Sequence, residues 1–297
     1  MRRAEPTAGT AVTFVLGSAF SLQFGAAFAA LIFPYVGPLG AVTIRLVVAA
    51  VVLMAVLRPR LRGHGRPDLL AVLAFGLVLA AMNACYYQSI DRIPIGAAVT
   101  LEFLGPLALA LITSRRLLDL VWVGFGAGGV VLLSGGAPDG LDPVGVAFAL
   151  AAGTLWACYI LLSAQAGKRF RRADGLALAM VVGGVAILPF GVGTAGASLV
   201  DPPVLAIGAL VALMSSVVPY SLELLALKRI RPGTFGILMS LEPAVAALAG
   251  VVVLSQLLGG WQLLGIALVV VASIGVTTFG KPLKEPQREE LADRYLG

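Results

Sequence analysis

The sequence predicts an all-α integral membrane protein with ten transmembrane helices, arranged as two inverted five-helix repeats. Three observations predict it: an apolar composition, apolar runs between clusters of charge, and a residue pattern that recurs in both halves. Of 297 residues, 59% are hydrophobic and only 12% are charged, whereas soluble domains average about 25% charged residues. So little charge cannot cover a water-facing surface. Runs of about twenty apolar residues have the length that crosses a bilayer as a helix.

Proline, glycine or charge separates the apolar runs and so marks the helix ends. The clearest interruptions are residues 34–38, the charged loop 58–68 and the glycine-rich stretch 135–140. The ten predicted helices cover residues 10–33, 37–57, 69–89, 93–113, 118–135, 143–164, 175–195, 203–227, 233–254 and 260–279.

Basic residues predict the orientation, because cytoplasmic loops carry an excess of Lys and Arg. With the N-terminus inside, nineteen of the 21 Lys and Arg residues fall in cytoplasmic segments, whereas Arg92 falls outside and Arg45 within a span. The cytoplasmic segments are the N-terminus, residues 58–66, 115–116, 168–172, 228–231 and the tail. We therefore predict a multi-pass protein of the plasma (inner) membrane with both termini in the cytoplasm.

The N-terminus has a second interpretation as a cleaved signal peptide. Arg2 and Arg3 precede an apolar run that contains the small-residue pattern Ala27-Phe28-Ala29. The run is longer than a usual signal core, and cleavage would leave the first half one helix short. We therefore favour an uncleaved first helix.

The two halves share a residue pattern. Residues 92–96 (RIPIG) match residues 229–233 (RIRPG), and a proline follows ten residues after each glycine, at Pro106 and Pro243. Trp122 and Gly126 recur in the same way as Trp261 and Gly265. Since five helices per half is an odd number, the second copy enters the membrane inverted. Inverted repeats around a midplane site are the architecture of alternating access, which favours a secondary transporter.

This symmetry also sets the predicted domain boundaries. Residues 1–139 form the first repeat, residues 140–280 the inverted second repeat, and residues 281–297 a cytoplasmic tail.

Four ionisable residues lie within the predicted spans: Arg45, Glu102, Glu223 and Glu242. A charge at a helix centre costs about 2.5–3.5 kcal/mol on insertion scales, so such residues are candidates for substrate or proton binding. The alternative is a structural ion pair between Arg45 and a glutamate. One arginine cannot neutralise three glutamates, so at least one carboxyl group is protonated, faces water or binds a cation.

Prolines within the spans predict helix breaks beside these carboxylates. Pro106, Pro219 and Pro243 each remove a backbone hydrogen bond, and each lies within about one turn of Glu102, Glu223 or Glu242. Pro189 interrupts a further helix without a neighbouring carboxylate. The breaks favour a central cavity lined by helices three, four, eight and nine, although prolines also bend packed helices.

Other polar residues in the spans complete the candidate site. Gln23, Asn83, Tyr87 and Tyr220 could bind a substrate, although hydrogen bonding between helices is an equally common role. Small residues follow helical spacing at Gly124 and Gly128 and in the series Gly145, Ala149, Gly153 and Ala157. We expect these to pack helices within the monomer first and to form a homodimer face second.

Several functional classes lack their signatures in the sequence. Cys85 and Cys158 both lie in apolar runs, so we expect free thiols, and His64 stands in a polar loop without metal-ligand spacing. Basic residues sit between apolar runs and form no nucleic-acid patch. No phosphate loop, dinucleotide fingerprint or nucleophile elbow occurs. We therefore predict no cofactor, no metal, no nucleic-acid partner and no enzymatic activity.

The ten-helix inverted repeat resembles the drug/metabolite transporter superfamily of EamA type, over nearly the whole chain. Two stretches are similar to the bacterial threonine and homoserine exporters: residues 92–107 (RIPIGAAVTLEFLGPL), and residues 218–244 with VPYSLE, TFG and MSLEPA. This resemblance implies export of small neutral amino acids, driven by proton antiport. Within transport the alternative is a drug or other metabolite exporter on the same fold, and outside it a membrane enzyme or regulatory membrane subunit.

Among the carboxylates, Glu102 and Glu242 are the candidates for proton coupling. Glu102 is nearest the middle of its helix and is the candidate that the sequence favours, because removal from water disfavours its charged form.

Overall fold

The computed structural model describes residues 8–59, 64–114, 119–135, 140–170, 174–227 and 232–279. Regular structure in these residues is helical throughout, as expected where a bilayer leaves the backbone no other hydrogen-bonding partners. The α-helices are α1 (Ala8–Ala30), α2 (Phe33–Leu57), α3 (Arg66–Ile90), α4 (Ile95–Glu102), α5 (Leu104–Ser114), α6 (Asp119–Gly135), α7 (Pro143–Arg169), α8 (Asp174–Ala195), α9 (Pro202–Ala212), α10 (Val218–Leu227), α11 (Pro232–Met239), α12 (Glu242–Leu254) and α13 (Gly260–Phe279). A 3₁₀ turn (Gly196–Val200) precedes α9, and a π-helical segment (Leu213–Val217), the π segment, joins α9 to α10.

Seven helical stretches in the described residues are long and apolar enough to cross a membrane. They are Val12–Ala30, Phe33–Leu57, Arg66–Ile90, Pro143–Gly167, Asp174–Val200, Pro202–Glu223 and Phe235–Leu254. Three shorter apolar helices cover Ile95–Leu109, Gly124–Leu133 and Gly260–Gly275. The prediction of an all-α chain with several membrane-spanning helices is therefore confirmed for the described residues.

The first two helix boundaries differ from prediction. The break predicted at residues 34–38 lies inside α2, which begins at Phe33 and continues through it. Gly37 adopts φ +66° there, a conformation that glycine tolerates because it has no Cβ. Proline and glycine at this point produce a kink and not a helix end, because the helix resumes at once after Pro38.

Two predicted helices are each divided in the structure. Predicted helix 93–113 breaks at Phe103 into α4 and α5, and predicted helix 233–254 breaks at residues 240–241 into α11 and α12. Pro106 and Pro243 therefore lie in the first turns of α5 and α12, not in helix interiors. A first-turn residue has no intrahelical partner for its N–H group, so proline is accommodated there without loss.

Close backbone contacts hold the helices together in pairs. The most extensive pairs are α2 with α8, α3 with α7, α6 with α13, α3 with α8 and α1 with α10, followed by α1 with α12 and α4 with α12. A Cβ on Gly129 of α6 would lie 2.7 Å from the Gly265 carbonyl oxygen of α13, and the reverse distance is also 2.7 Å. Only glycine permits such an approach.

The predicted small-residue stripes behave differently from each other. Gly124 has nothing within 4 Å of its Cβ position among the described residues, so α6 approaches α13 through Gly129 instead. On α7, Gly145 contacts the Arg92 and Ile93 side chains, and Gly153 contacts the Glu102 backbone. The α7 stripe therefore packs within the monomer, against the segment that begins and ends α4.

Candidate functional site

Polar side chains from α1, α2, α3, the π segment and α12 are buried inside an otherwise apolar bundle. Burying a polar group without a hydrogen-bond partner is costly, so each such group requires an account of its partners. The buried polar side chains include Ser18, Gln23, Arg45, Asn83, Ser215, Ser216 and Glu242.

Glu242 is the first residue of α12, directly after the break from α11, and only 2% of its surface is exposed. The Gln23 side-chain amide on α1 donates to its Oε2 at 3.1 Å, and the Tyr86 hydroxyl on α3 donates to Gln23 Oε1 at 3.4 Å. The other carboxyl oxygen of Glu242, Oε1, has no hydrogen-bond partner in the described structure. The site therefore presents one satisfied and one unsatisfied carboxyl oxygen.

Arg45 of α2 is also buried, with 7% of its surface exposed, and acts electrostatically on Glu102. Its Nη1 donates to the Tyr87 hydroxyl at 3.3 Å, and its guanidinium carbon lies 5.6 Å from the Tyr87 ring centroid. The Tyr86 and Tyr87 rings are 5.8 Å apart, so α3 links Arg45 to the Gln23–Glu242 pair. Arg45 and the Glu242 carboxyl group are thus connected through Gln23 and two adjacent tyrosines.

The π segment explains where the second Arg45 hydrogen bond goes. Pro219 has no N–H group for the carbonyl four residues earlier, which belongs to Ser215. Arg45 Nη2 donates to that Ser215 carbonyl at 3.1 Å, and the Ser21 hydroxyl on α1 donates to the Met214 carbonyl at 2.7 Å. Side chains from α1 and α2 therefore satisfy backbone carbonyls of the irregular segment, as a membrane interior requires.

Glu223 of α10 lies on the α1 side of the bundle and is half-buried. The Ser18 hydroxyl donates to its Oε1 at 2.7 Å and lies 3.5 Å from the Pro219 carbonyl oxygen. Glu223 is within electrostatic range of Glu242.

Glu102 is the last residue of α4 and is half-buried. It lies within electrostatic range of Arg45 and Glu242, and its carboxyl group accepts no hydrogen bond from the described residues. The two hydrogen bonds described for Arg45 both go to neutral acceptors, Tyr87 and Ser215. The three carboxyl groups and the arginine thus occupy one region.

Two further predicted site residues, Asn83 and Tyr220, are not placed in this region by any contact in the described structure. Asn83 donates to the Leu79 carbonyl of its own helix at 2.8 Å, and the Tyr220 side chain lies outside the described residues. Sequence reasoning missed Ser18, Ser21 and Ser215. The available signal was the three-residue spacing of the two α1 serines, which places both hydroxyls near one helix face.

Metal binding has no support in the part of the chain that the structure describes, where no group of three or more His, Cys, Asp and Glu residues could hold an ion. Cys85 and Cys158 are free thiols.

Comparison with known proteins gives the chain's relationships. A sequence model of the EamA-like transporter family matches residues 143–278. The threonine/homoserine exporter RhtA of Salmonella typhimurium LT2 is 38% identical over 273 residues, which are 91% of this chain and 92% of that protein. The chain belongs to the EamA-like transporter family. RhtA of Escherichia coli K12 is likewise 38% identical over 268 residues, 90% of each protein.

The fold of this chain also occurs in a solved structure. One crystal structure superposes with a TM-score of 0.62 at 18% sequence identity, covering 92% of this chain and 98% of that chain. As an EamA-family member with several membrane-spanning helices, the chain is a multi-pass membrane transporter of small molecules and not an enzyme. The resemblance noted from the sequence is confirmed.

Proposed function

We propose that this transporter exports small neutral amino acids such as threonine or homoserine, in exchange for protons, across a bacterial-type plasma membrane. The observation that carries the substrate class is the 38% identity with two threonine/homoserine exporters along nine tenths of the chain. The buried Glu242 carboxyl group, with the half-buried Glu102 and Glu223 near it, supports the proton coupling, because ionisable groups inside membranes mark substrate and proton pathways.

The proposed topology has ten spans and two inverted repeats, with both termini in the cytoplasm. The seven long and three shorter apolar helices are compatible with it. The helix pairing supports the symmetry, because α2–α8, α4–α12 and α6–α13 each join counterpart spans. The α3–α7 pair joins the third and sixth spans, and the α10–α1 pair joins their counterparts, the eighth and first spans. A two-fold relation between the halves requires both pairs. The nineteen basic residues in the expected cytoplasmic segments support the orientation.

An amino-acid zwitterion needs an anion for its ammonium group and a cation for its carboxylate. Glu242 offers Oε1, which accepts no other hydrogen bond in the described structure. Arg45 offers a guanidinium group whose planar fork suits carboxylates, once the substrate displaces the Tyr87 hydroxyl or the Ser215 carbonyl. Displacing the Ser215 carbonyl would also loosen the π segment, so substrate binding would be coupled to a helix that can rearrange.

Coupling follows from competition at Glu242. Burial disfavours a bare carboxylate, so the group carries either a proton or a cationic ligand. A proton that arrives from outside displaces the substrate ammonium, and a substrate that binds from the cytoplasm displaces the proton. Because one group cannot hold both, substrate and proton move in opposite directions.

Purified protein in proteoliposomes tests the substrate class. Vesicles loaded with unlabelled threonine should accumulate external labelled threonine by counterflow, and unlabelled homoserine should compete. Absence of threonine counterflow, together with counterflow of a labelled drug or nucleoside in vesicles loaded with that compound, would instead establish the metabolite-exporter alternative. Heat-inactivated protein and empty liposomes supply the background.

A further inference from the structure

Glu223 and Ser18 form a polar pair that amino-acid binding at Glu242 does not use. They join α10 to α1 through a 2.7 Å hydrogen bond. Glu223 therefore faces the bundle, although a carboxyl group one turn from a helix end could otherwise extend to the membrane surface.

The Ser18 hydroxyl has two acceptors for its one proton. It donates to Glu223 Oε1 at 2.7 Å, and the Pro219 carbonyl oxygen lies 3.5 Å away. When Glu223 carries a proton, its O–H can donate to Ser18 Oγ while Ser18 turns to the Pro219 carbonyl. A hydroxyl both donates and accepts, so this arrangement satisfies Glu223 in either protonation state.

The helix geometry places Glu223 between Glu242 and one end of the bundle. Glu223 stands four residues before the end of α10 at Leu227, which corresponds to about 6 Å along the helix. Glu242 follows the eight residues of α11, which rise about 12 Å from the same end. That end is connected by residues 228–231, three of which are basic in the sequence.

Few charges surround the Ser18–Glu223 pair. The described parts of α1 and α11 contain no titratable residue, and Tyr220 is the other titratable residue of α10 itself. Glu223 and Glu102 both act electrostatically on Glu242 of α12, and Glu242 acts in turn on Tyr86.

We infer that Glu223, held by the Ser18 hydroxyl, is a second proton-exchange position through which protons pass between Glu242 and the membrane surface at the α10–α11 end. This inference rests on the proton antiport proposed above. In the step, the Glu242 carboxyl loses a proton to intervening water, the Glu223 carboxylate gains one, and the proton then leaves Glu223 for bulk water. Glu242 is left ionised and ready for a substrate ammonium group.

Carbodiimide labelling tests the titration of Glu223 without any substrate, because the reagent reacts with protonated carboxyl groups in apolar surroundings. Labelling of Glu223 in the purified full-length protein, quantified by mass spectrometry, should fall as the pH rises. Ser18→Ala should move the midpoint up by about one pH unit, since it removes a hydrogen bond to the ionised form. Ser18→Thr should restore it, and Ser21→Ala, which loses only a bond to the Met214 carbonyl, should not move it. Labelling of the wild-type protein that is independent of pH would overturn the inference.

Transport assays separate this role from the antiport itself. Glu223→Gln should lower pH-gradient-driven threonine flux about tenfold, the scale of one strong hydrogen bond to a charged group. Threonine counterflow should stay near the wild-type rate, because it requires no net proton transfer. Unchanged gradient-driven flux in Glu223→Gln would reject the relay. Wild-type protein that shows counterflow but no gradient-driven flux would reject the antiport instead, whatever the labelling shows.

Discussion

Glu242→Gln should abolish pH-gradient-driven threonine transport without unfolding the protein. The substitution keeps the size of the side chain and removes its ability to carry either a negative charge or an exchangeable proton. Gln23 already donates to Oε2 at 3.1 Å, and the amide oxygen of a glutamine can accept the same bond. The site therefore retains its hydrogen-bonded shape.

Glu242→Gln should change the free energy of unfolding only slightly, because the hydrogen bond from Gln23 is kept. A hydrogen bond to a charged group contributes about 1.5–3 kcal/mol and a neutral one about 0.5–1.5 kcal/mol, so the pair loses about 1 kcal/mol. Removing a buried charge offsets part of that loss. We therefore expect a thermal unfolding midpoint in detergent within a few degrees of wild type, together with loss of pH-gradient-driven threonine flux.

Asp142→Asn is the matched control, because it makes the same carboxyl-to-amide change at the start of α7. Asp142 caps that helix by accepting from the Val144 N–H at 2.9 Å, and asparagine caps helices equally well. This variant should transport like wild type. Well-folded Glu242→Gln protein with normal gradient-driven flux would refute the assignment of Glu242 and leave Glu102 as the coupling residue.

Three further predictions follow from the fold and the site. Glu102→Gln should lower expression if Glu102 forms a structural pair with Arg45, and the double variant that also carries Arg45→Gln should then restore it. Normal expression of Glu102→Gln with an altered pH dependence of transport would instead indicate a coupling role. Gly105→Ala should destabilise the protein by about 1–3 kcal/mol, because the new Cβ would collide with the Gly153 backbone of α7. Gly124→Ala is the control and should be tolerated, because its Cβ position is open. Equal thermal stability of the two variants would contradict this packing. Alkaline phosphatase fused at the C-terminus should be inactive in cells, and high activity would reverse the proposed orientation.

The sequence was informative about features that depend on local composition. Apolar runs identified the helical segments, and the cost of burying charge singled out Arg45, Glu102, Glu223 and Glu242. Proline also located the two helix divisions to within a few residues, because its missing N–H group is tolerated best in a first turn. The structure moved each division upstream, to Phe103 and to residues 240–241.

Long-range pairings were beyond the reach of sequence reasoning. The Gln23–Glu242 bond joins residues 219 positions apart, and the Ser18–Glu223 bond joins residues 205 apart. Nothing in either local sequence specifies the other partner. The π segment was missed for a similar reason, because its free carbonyl at Ser215 is acceptable only where Arg45, from another helix, donates to it.

Proton movement driven by an amino acid tests the antiport most directly. Proteoliposomes that contain the protein and a trapped pH-sensitive dye receive an outward threonine gradient, with no pH difference at the start and with the membrane potential clamped. Antiport predicts acidification of the lumen as threonine leaves, at a rate that rises with the threonine gradient, and this acidification should be lost in Glu242→Gln. Threonine efflux from wild-type protein without any change in lumenal pH would contradict it.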